Sequence, residues 1–319
     1  MEIEEAGTTE NRKPKLIAVF GGTGFLGRRI VAQLLKEGFR VRAISRHPER
    51  IAQAFGLTHT RLESCRADIV NEKTIPAVVE GADSVVNAVS LYVEHGSITF
   101  HAVHVEAAAR LARLCREGEV QSLVQISGIG ADPNSDSRYI RARGQGEIAV
   151  REAFNDATVI RPAVMFGPDD AFLTTLVKLV KRLPAFPLFG RGKTRLQPVF
   201  VEDVAAAVAH LLSDRRVASV YETGGPHIYT YRTLVEEIAA ALSVRRLLVP
   251  FPLSVWKVLA AAAERSPWDG LTVNQVELME VDNVAARPDL TRLGITPTGI
   301  EDCLKEILAE LSLSGNPIR

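Results

Sequence analysis

From Leu16 to about Arg161 the chain alternates short β-rich runs with stretches of helical period. The runs Leu16–Phe20, Arg40–Ile44, Thr60–Cys65, Ser84–Ala88, Leu123–Ile126 and Thr158–Ile160 have strand length and β-branched or apolar content. Between them, Leu26, Ile30, Leu34 and Leu35 recur at helical spacing and stop at Gly38, a C-terminal helix signal; Phe100, Val103, Ala107, Leu111 and Leu114 form a second stripe. Such alternation implies parallel strands joined by right-handed crossovers, hence an α/β chain with a doubly wound sheet.

After Pro162 the pattern changes. Leu183 to Pro198 is rich in proline, glycine and basic residues and reads as a long loop. A helix follows (Val204, Val208, Leu211, Leu212), then a strand at Val220–Glu222 and a Gly224-Gly225-Pro226 turn. The remainder is mainly helical and closes on the stripe Ile300, Leu304, Ile307, Leu308 and Leu311. The expected organisation is a disordered tail (1–15), a nucleotide-binding domain (16–165) and a smaller, mostly helical lobe for substrate or partner (166–319). The stretch 197–222 is free to return to the first domain.

Charge removes some classes of partner. Lysine plus arginine equals aspartate plus glutamate, 38 each, so no global field draws the 319-residue chain to nucleic acid or to an anionic membrane, and only local basic clusters remain for such contacts. Cys65, Cys115 and Cys303 make no CxxC pair, which argues for reduced thiols and against a structural metal. The first fifteen residues lack the apolar core of a signal peptide. No apolar run reaches the length of a membrane span; the nearest, Leu247 to Ala263, carries Pro250, Pro252 and Lys257 and reads as a buried or surface-lying helix. A cytoplasmic protein is expected, with peripheral contact to an inner membrane left open.

The chemistry begins at Gly21-Gly22-Thr23-Gly24-Phe25-Leu26-Gly27, a GxxGxxG string between an apolar strand and an amphipathic helix. The first glycine permits a tight turn, the second a close approach of backbone to a pyrophosphate, and the third close contact of helix and strand. The helix start then offers free N–H groups and a positive dipole end to the phosphates. This is the phosphate loop of a Rossmann-type dinucleotide fold. An acid closing the second strand would take the ribose hydroxyls of NAD; here Ser45-Arg46 stands instead, with a cation suited to a 2′-phosphate, so NADP(H) is preferred over NAD(H). Asp68, followed by Ile69, lies after the third strand, either accepting from adenine or capping its own turn.

These residues resemble the extended and atypical short-chain dehydrogenase/reductases. Within them the chain is similar to the NDUFA9-type NADPH-binding accessory subunits of respiratory complex I and their bacterial relatives. Carrying the resemblance are Gly21–Gly27, Gln125-Ile126-Ser127, Ser137-Arg138-Tyr139 with Gly146-Glu147, Ile160-Arg161-Pro162 with Phe166-Gly167, and Gln197 through Val204. Pro250-Phe251-Pro252-Leu253 and Glu264-Arg265-Ser266-Pro267-Trp268 add the branch-specific strings. The resemblance implies a Ser, a Tyr and a Lys four residues after it as catalytic groups. Ser127 and Tyr139 fit; the third position is Arg143, which does not release its proton as lysine does. It also implies that Ala88, Val89 and Ser90 run beside the cofactor and that Pro162, Ala163 and Val164 flank the nicotinamide. His104 takes the place of a structural asparagine.

Three functions follow from this. One is an NADP(H)-holding protein with weak or no turnover, in a structural or assembly role at respiratory complex I or a quinone-synthesis complex. Another is an active NADP-dependent oxidoreductase on a small or quinone-like substrate. A third, an NAD-dependent sugar epimerase or dehydratase, is disfavoured by Ser45-Arg46 and the missing lysine. His101 and His104 stand three apart without a third ligand, so no metal is expected. Arg191-Gly192-Lys193-Thr194-Arg195 reads as a solvated basic loop, the alternative being a grip on an acidic substrate, a lipid head group or a partner protein. Trp256 and Trp268, with the apolar 247–263 stretch, read as core residues, the alternative being a hydrophobic pocket or a docking face.

Overall fold

The computed structural model describes residues 14–56, 59–214, 220–264, 271–304 and 307. The expected tail (apart from Pro14 and Lys15), the string Arg265-Ser266-Pro267-Trp268, and Leu308 and Leu311 lie outside the described residues.

Strand β1 (Leu16–Phe20) is buried at all five positions, as a strand covered on both faces must be. Parallel to it run β2 (Arg40–Ser45) and β3 (Leu62–Arg66) on one side. On the other lie β4 (Ser84–Asn87), β5 (Ser122–Ile126) and β6 (Thr158–Pro162). The order β3-β2-β1-β4-β5-β6 reverses between β1 and β4, and that switch point opens a crevice at the carboxyl ends of the strands.

Helices α1 (Phe25–Lys36), α2 (Glu49–Phe55) and α3 (Pro76–Val79) connect the first strands. A π-helical segment, Ala102–Ala107, runs into α4 (Ala108–Glu117), and α5 (Arg138–Ala153) joins β5 to β6. The chain then leaves the sheet through β7 (Met165–Phe166), α6 (Phe172–Arg182), β8 (Ala185–Phe189), β9 (Arg195–Leu196) and β10 (Val199–Phe200). It returns as α7 (Val201–Ser213), packed against α1, and as β11 (Val220–Thr223), which pairs parallel with β6 as the seventh strand. One face of the sheet buries Ile30, Leu34, Val204 and Val208; the other buries Leu111, Cys115 and Val150.

The lobe has its own core of Phe166, Leu173, Val177, Phe186, Leu234 and Ile238. After β12 (Tyr229–Thr230) and α8 (Tyr231–Ala241), β13 (Leu247–Phe251) pairs parallel with β8, from Leu247 opposite Ala185 to Phe251 opposite Phe189. Helices α9 (Leu253–Ala263) and α10 (Val273–Leu278) follow. Two readings of the sequence are corrected. The 183–198 stretch is not a long loop but carries β8 and β9, and the 247–263 run is a strand followed by a helix rather than one helix. Pro187 and Pro250 lie within the two strands; each strand has one free edge, where a missing N–H is tolerated.

Candidate functional site

The phosphate loop follows β1. Gly21 has φ +78°, and its N–H and that of Gly22 both donate to the Ile44 carbonyl, at 3.0 and 3.1 Å. That pair of bonds ties the loop to the end of β2. A Cβ on Gly27 would lie 2.0 Å from the Gly21 carbonyl oxygen, so only glycine lets α1 come this close to the loop. Helix α1 starts at Gly24 with no side-chain cap and no acid in its first turn. The N–H groups of Phe25, Leu26 and Gly27 therefore stand where a helix leaves donors for a ligand. The Leu26 side chain is buried in the core, which leaves only its backbone N–H for a ligand.

At the adenosine side, Thr23 Oγ1 and Ser45 Oγ are 2.8 Å apart, and the His47 N–H donates to Ser45 Oγ at 3.1 Å. Arg46 is exposed and makes no side-chain hydrogen bond or ion pair among the described residues. Two further cations border the loop that sequence reasoning passed over. Arg28 and Arg50 line a groove with Gly22, Thr23 and Gln53. The available signal was position: Arg28 follows the third glycine, and Arg50 stands four residues after Arg46. Arg28 pairs with Asp169, and Arg29 ties Asp169, Glu202 and the carbonyls of Phe25 and Pro168 to the same helix turn. Asp68 accepts from the Val70 N–H at 3.1 Å, the turn-capping role, while Ile69 is buried.

At the other end, Tyr139 and Arg143 are one helical turn apart on α5, whose N-terminal half lies against the π-helical segment. A Cβ on Gly146 would sit 2.0 Å from the His104 carbonyl oxygen. That contact brings Phe100 and His104 edge-on to the Tyr139 ring, at 5.4 and 5.7 Å between centroids, and Tyr92 stacks on it at 5.8 Å. Arg143 is 6% exposed. Its guanidinium donates to the Tyr139 hydroxyl at 3.0 and 3.2 Å, to Ser90 Oγ at 2.6 Å and to the Ile126 carbonyl at 3.1 Å. Burial pushes the Tyr139 phenol up to about 12 against the opposing pull of Arg143. The phenol is therefore protonated at neutral pH. Burial, and then the Arg143 charge, bring His104 down to about 3, and its neutral ring bonds the Leu91 carbonyl at 3.0 Å.

Ser127 follows the Ile126 carbonyl that Arg143 holds. Its Oγ is buried without a hydrogen-bond partner, an orphan that a ligand oxygen would satisfy. Ala88 and Val89 leave β4 beside Gly21; a Cβ on Gly21 would meet the Ala88 backbone at 3.0 Å. Pro162, Ala163 and Val164 leave β6. The Ala163 N–H is bonded to the Thr223 carbonyl and that of Val164 to Asn283 Oδ1, at 2.8 and 2.6 Å, so these two donors are already engaged. His101 is exposed and faces Glu106 at 3.6 Å, while His104 turns inward; the two share no ligand geometry. Among the described residues no cluster of three metal-binding side chains occurs. Arg195 of the basic loop pairs with Asp282, and Trp256 donates to the Leu188 carbonyl at 3.1 Å between Phe189 and Phe251.

The glycine cradle, the uncapped helix start and the buried Ser127 hydroxyl fit a dinucleotide. Residues 21–215 match a family model described as NAD(P)H-binding. In Arabidopsis thaliana, NADH dehydrogenase [ubiquinone] 1 alpha subcomplex subunit 9 is 35% identical over 76% of this chain and 62% of its own length. The NADH-ubiquinone oxidoreductase 40 kDa subunit of Neurospora crassa is 30% identical over 78% of this chain and 66% of its own. The chain thus spans just under two thirds of either relative. Among solved structures, a dTDP-glucose 4,6-dehydratase from Streptomyces venezuelae with NAD superposes with TM-score 0.69 at 17% identity. It covers 92% of this chain and 96% of its own, a likeness of fold.

Proposed function

The chain belongs to the NAD(P)H-binding family and is a homologue of the complex I alpha subcomplex subunit 9 proteins, and within that family we propose that it is an NADP(H) holder with little or no turnover. Its role on this reading is structural or assembly-related, at respiratory complex I or a quinone-related complex, as the names of its relatives suggest. The single observation that carries the reading is Arg143: three of its contacts are internal, to Tyr139, Ser90 and the Ile126 carbonyl.

Bound at this site, a nicotinamide supplies or takes up hydride. Gly21 to Gly27 and the first turn of α1 would hold the pyrophosphate. Arg46, with Arg50 and Arg28 nearby, would favour a 2′-phosphate over a free ribose hydroxyl. At the reacting end, Arg143 donates to the phenol oxygen of Tyr139, leaving the phenol proton to point at a substrate oxygen. A reduction needs that proton replaced. Lysine can release and regain a proton in such a relay, whereas the arginine cation does not. The replacement route is therefore broken at Arg143, and binding survives without efficient turnover.

A second reading, an active NADP-dependent oxidoreductase, is favoured by the unpartnered Ser127 hydroxyl, which stands ready for a substrate oxygen. Turnover decides between them. Purified protein is mixed with NADPH and a panel of quinones and carbonyl compounds, and NADPH absorbance is followed. The expected result is saturable NADPH binding with no loss of absorbance, and co-purification with respiratory-complex subunits from the native host. NADPH oxidation that Tyr139→Phe abolishes would overturn the holder in favour of the enzyme.

A further inference from the structure

Helix α9 is built the wrong way round for a solvent-facing helix. Its exposed positions include Val255, Val258, Leu259 and Ala262, spaced i, i+3, i+4, i+7 on one face. Val258 is 68% exposed, and Ala260 is the only fully buried residue of the eleven. The opposite side is also apolar: Trp256 fits between Phe189 and Phe251. A helix apolar on two opposite sides, with Ser254 and Lys257 as its polar positions, belongs in an interior or against another apolar phase. Leu247 on β13, 67% exposed, and Leu179 on α6 extend the apolar surface of this unit.

The charge of the same unit is as lopsided. Residues 172–196 and 243–263, which supply α6, β8, β9, β13 and α9, contain nine lysines and arginines and no acidic residue, in a chain whose total charge is zero. Two of the nine have carboxylate partners from other segments, Arg195 with Asp282 and Lys257 with Glu280. Lys178, Lys181, Arg182, Arg191, Lys193 and Arg245 make no ion pair among the described residues. The pieces are joined physically. Arg246 donates to the Val180 and Lys181 carbonyls, fastening the start of β13 to the last turn of α6. Trp256 fastens α9 to β8 through the Leu188 carbonyl.

An exposed apolar stripe joined to segments that carry unpaired cations has the chemistry of an interfacial helix: apolar side chains enter the acyl boundary while lysine and arginine meet anionic head groups. Nucleic acid would use the cations but give the stripe nothing to pack against, and no described helix is long and apolar enough to cross a bilayer. We propose that the α6–β8–β13–α9 face of the lobe docks the protein on an anionic lipid bilayer, with Val255, Val258 and Leu259 as the inserted residues. This goes beyond nucleotide binding, which lies on the sheet domain and does not depend on it.

The test is vesicle flotation of the whole chain, with phosphatidylcholine alone and with added phosphatidylglycerol. The protein is expected to float only with the anionic vesicles. Lys181→Ser with Arg182→Ser should weaken binding about fivefold per cation removed. Val258→Asp with Leu259→Asp should abolish the part of the binding that resists high salt. Melting temperature and NADPH affinity, unchanged in both variants, show that the fold and the nucleotide site are intact. Equal flotation of parent and variants, or no flotation with anionic vesicles, overturns the proposal. A dimer in size exclusion that Val258→Asp with Leu259→Asp dissociates, with no vesicle binding, would assign the face to a second copy instead.

Discussion

The phosphate end and the tyrosine end of the crevice are made of different material. At the phosphate-loop end the distinctive features belong to the backbone: a left-handed Gly21, a Gly27 that admits no Cβ, and a helix start without a side-chain cap. Arg46, directly after β2, makes no side-chain hydrogen bond or ion pair among the described residues. At the tyrosine end the side chains satisfy one another. Arg143 is shared among Tyr139, Ser90 and a carbonyl, and Phe100, His104 and Tyr92 surround the phenol ring. The first end has donors left over for a ligand and the second has few. On the reading proposed above, a protein built this way keeps its grip on a dinucleotide while the reacting groups hold each other, and binding and reaction become separable properties of one fold.

The comparison breaks most visibly at Gly27. In Gly27→Ala the new carbon lands 2.0 Å from a backbone oxygen that has little room to move. NADPH affinity should fall about a hundredfold or more, as overpacking of about 3 kcal/mol implies. Calorimetric titration checks this, and near-parent affinity would mean that the loop does not hold the phosphates.

A smaller but more selective effect is expected at Arg46. Loss of its charge-assisted bonds in Arg46→Ala should weaken NADPH binding roughly tenfold to hundredfold and leave NADH unchanged. Equal affinity of the parent for the two dinucleotides would contradict the assignment of that residue.

The tyrosine end is probed by pH. His104 is held neutral in the folded chain to about 3, whereas its ordinary value is 6.5. The unfolded state therefore takes up a proton below about 6.5 that the folded state refuses until about 3. Stability lost through this group begins as pH falls past the upper value and reaches about 2 kcal/mol at pH 5. Denaturant melts at pH 7 and pH 5 should show that drop in the parent and a shallower one in His104→Gln. Equal slopes would show that the ring is not buried neutral.

How much of this the sequence announces depends on how local the signal is. Strands β1 to β6 and the phosphate loop are each read within a few residues, because strand, turn and helix start are adjacent. The pair β8–β13 escapes such reading. Its partners lie far apart in the chain, and Pro187 and Pro250 look like breakers until the free strand edges that tolerate them are seen. Tyr139, Arg143 and Ser127 are legible through the family resemblance, whereas the ring of Tyr92, Phe100 and His104 is not. That ring depends on a π-helical segment that rotates His104 inward, and on Gly144 and Gly146, which let α5 approach, with Gly146 facing the π segment itself. A helical stripe at period 3.6 read straight through that segment.

The seventh strand has a consequence for how the molecule is made. β11 pairs with β6 across roughly sixty intervening residues, a closure whose entropy grows only with the logarithm of its length. Thermodynamically the detour through the lobe is cheap. In time it is not: at ribosomal rates, β6 waits about three to twelve seconds as the outermost strand, with the main-chain groups of Val159 and Ile160 open to any passing strand. Only when α7 has settled on α1 and β11 arrives does the sheet acquire its final edge. The first part of the lobe, from β7 to β10, is then anchored at both of its ends, and the rest of it, from β12 onward, is made only after the sheet has its last strand.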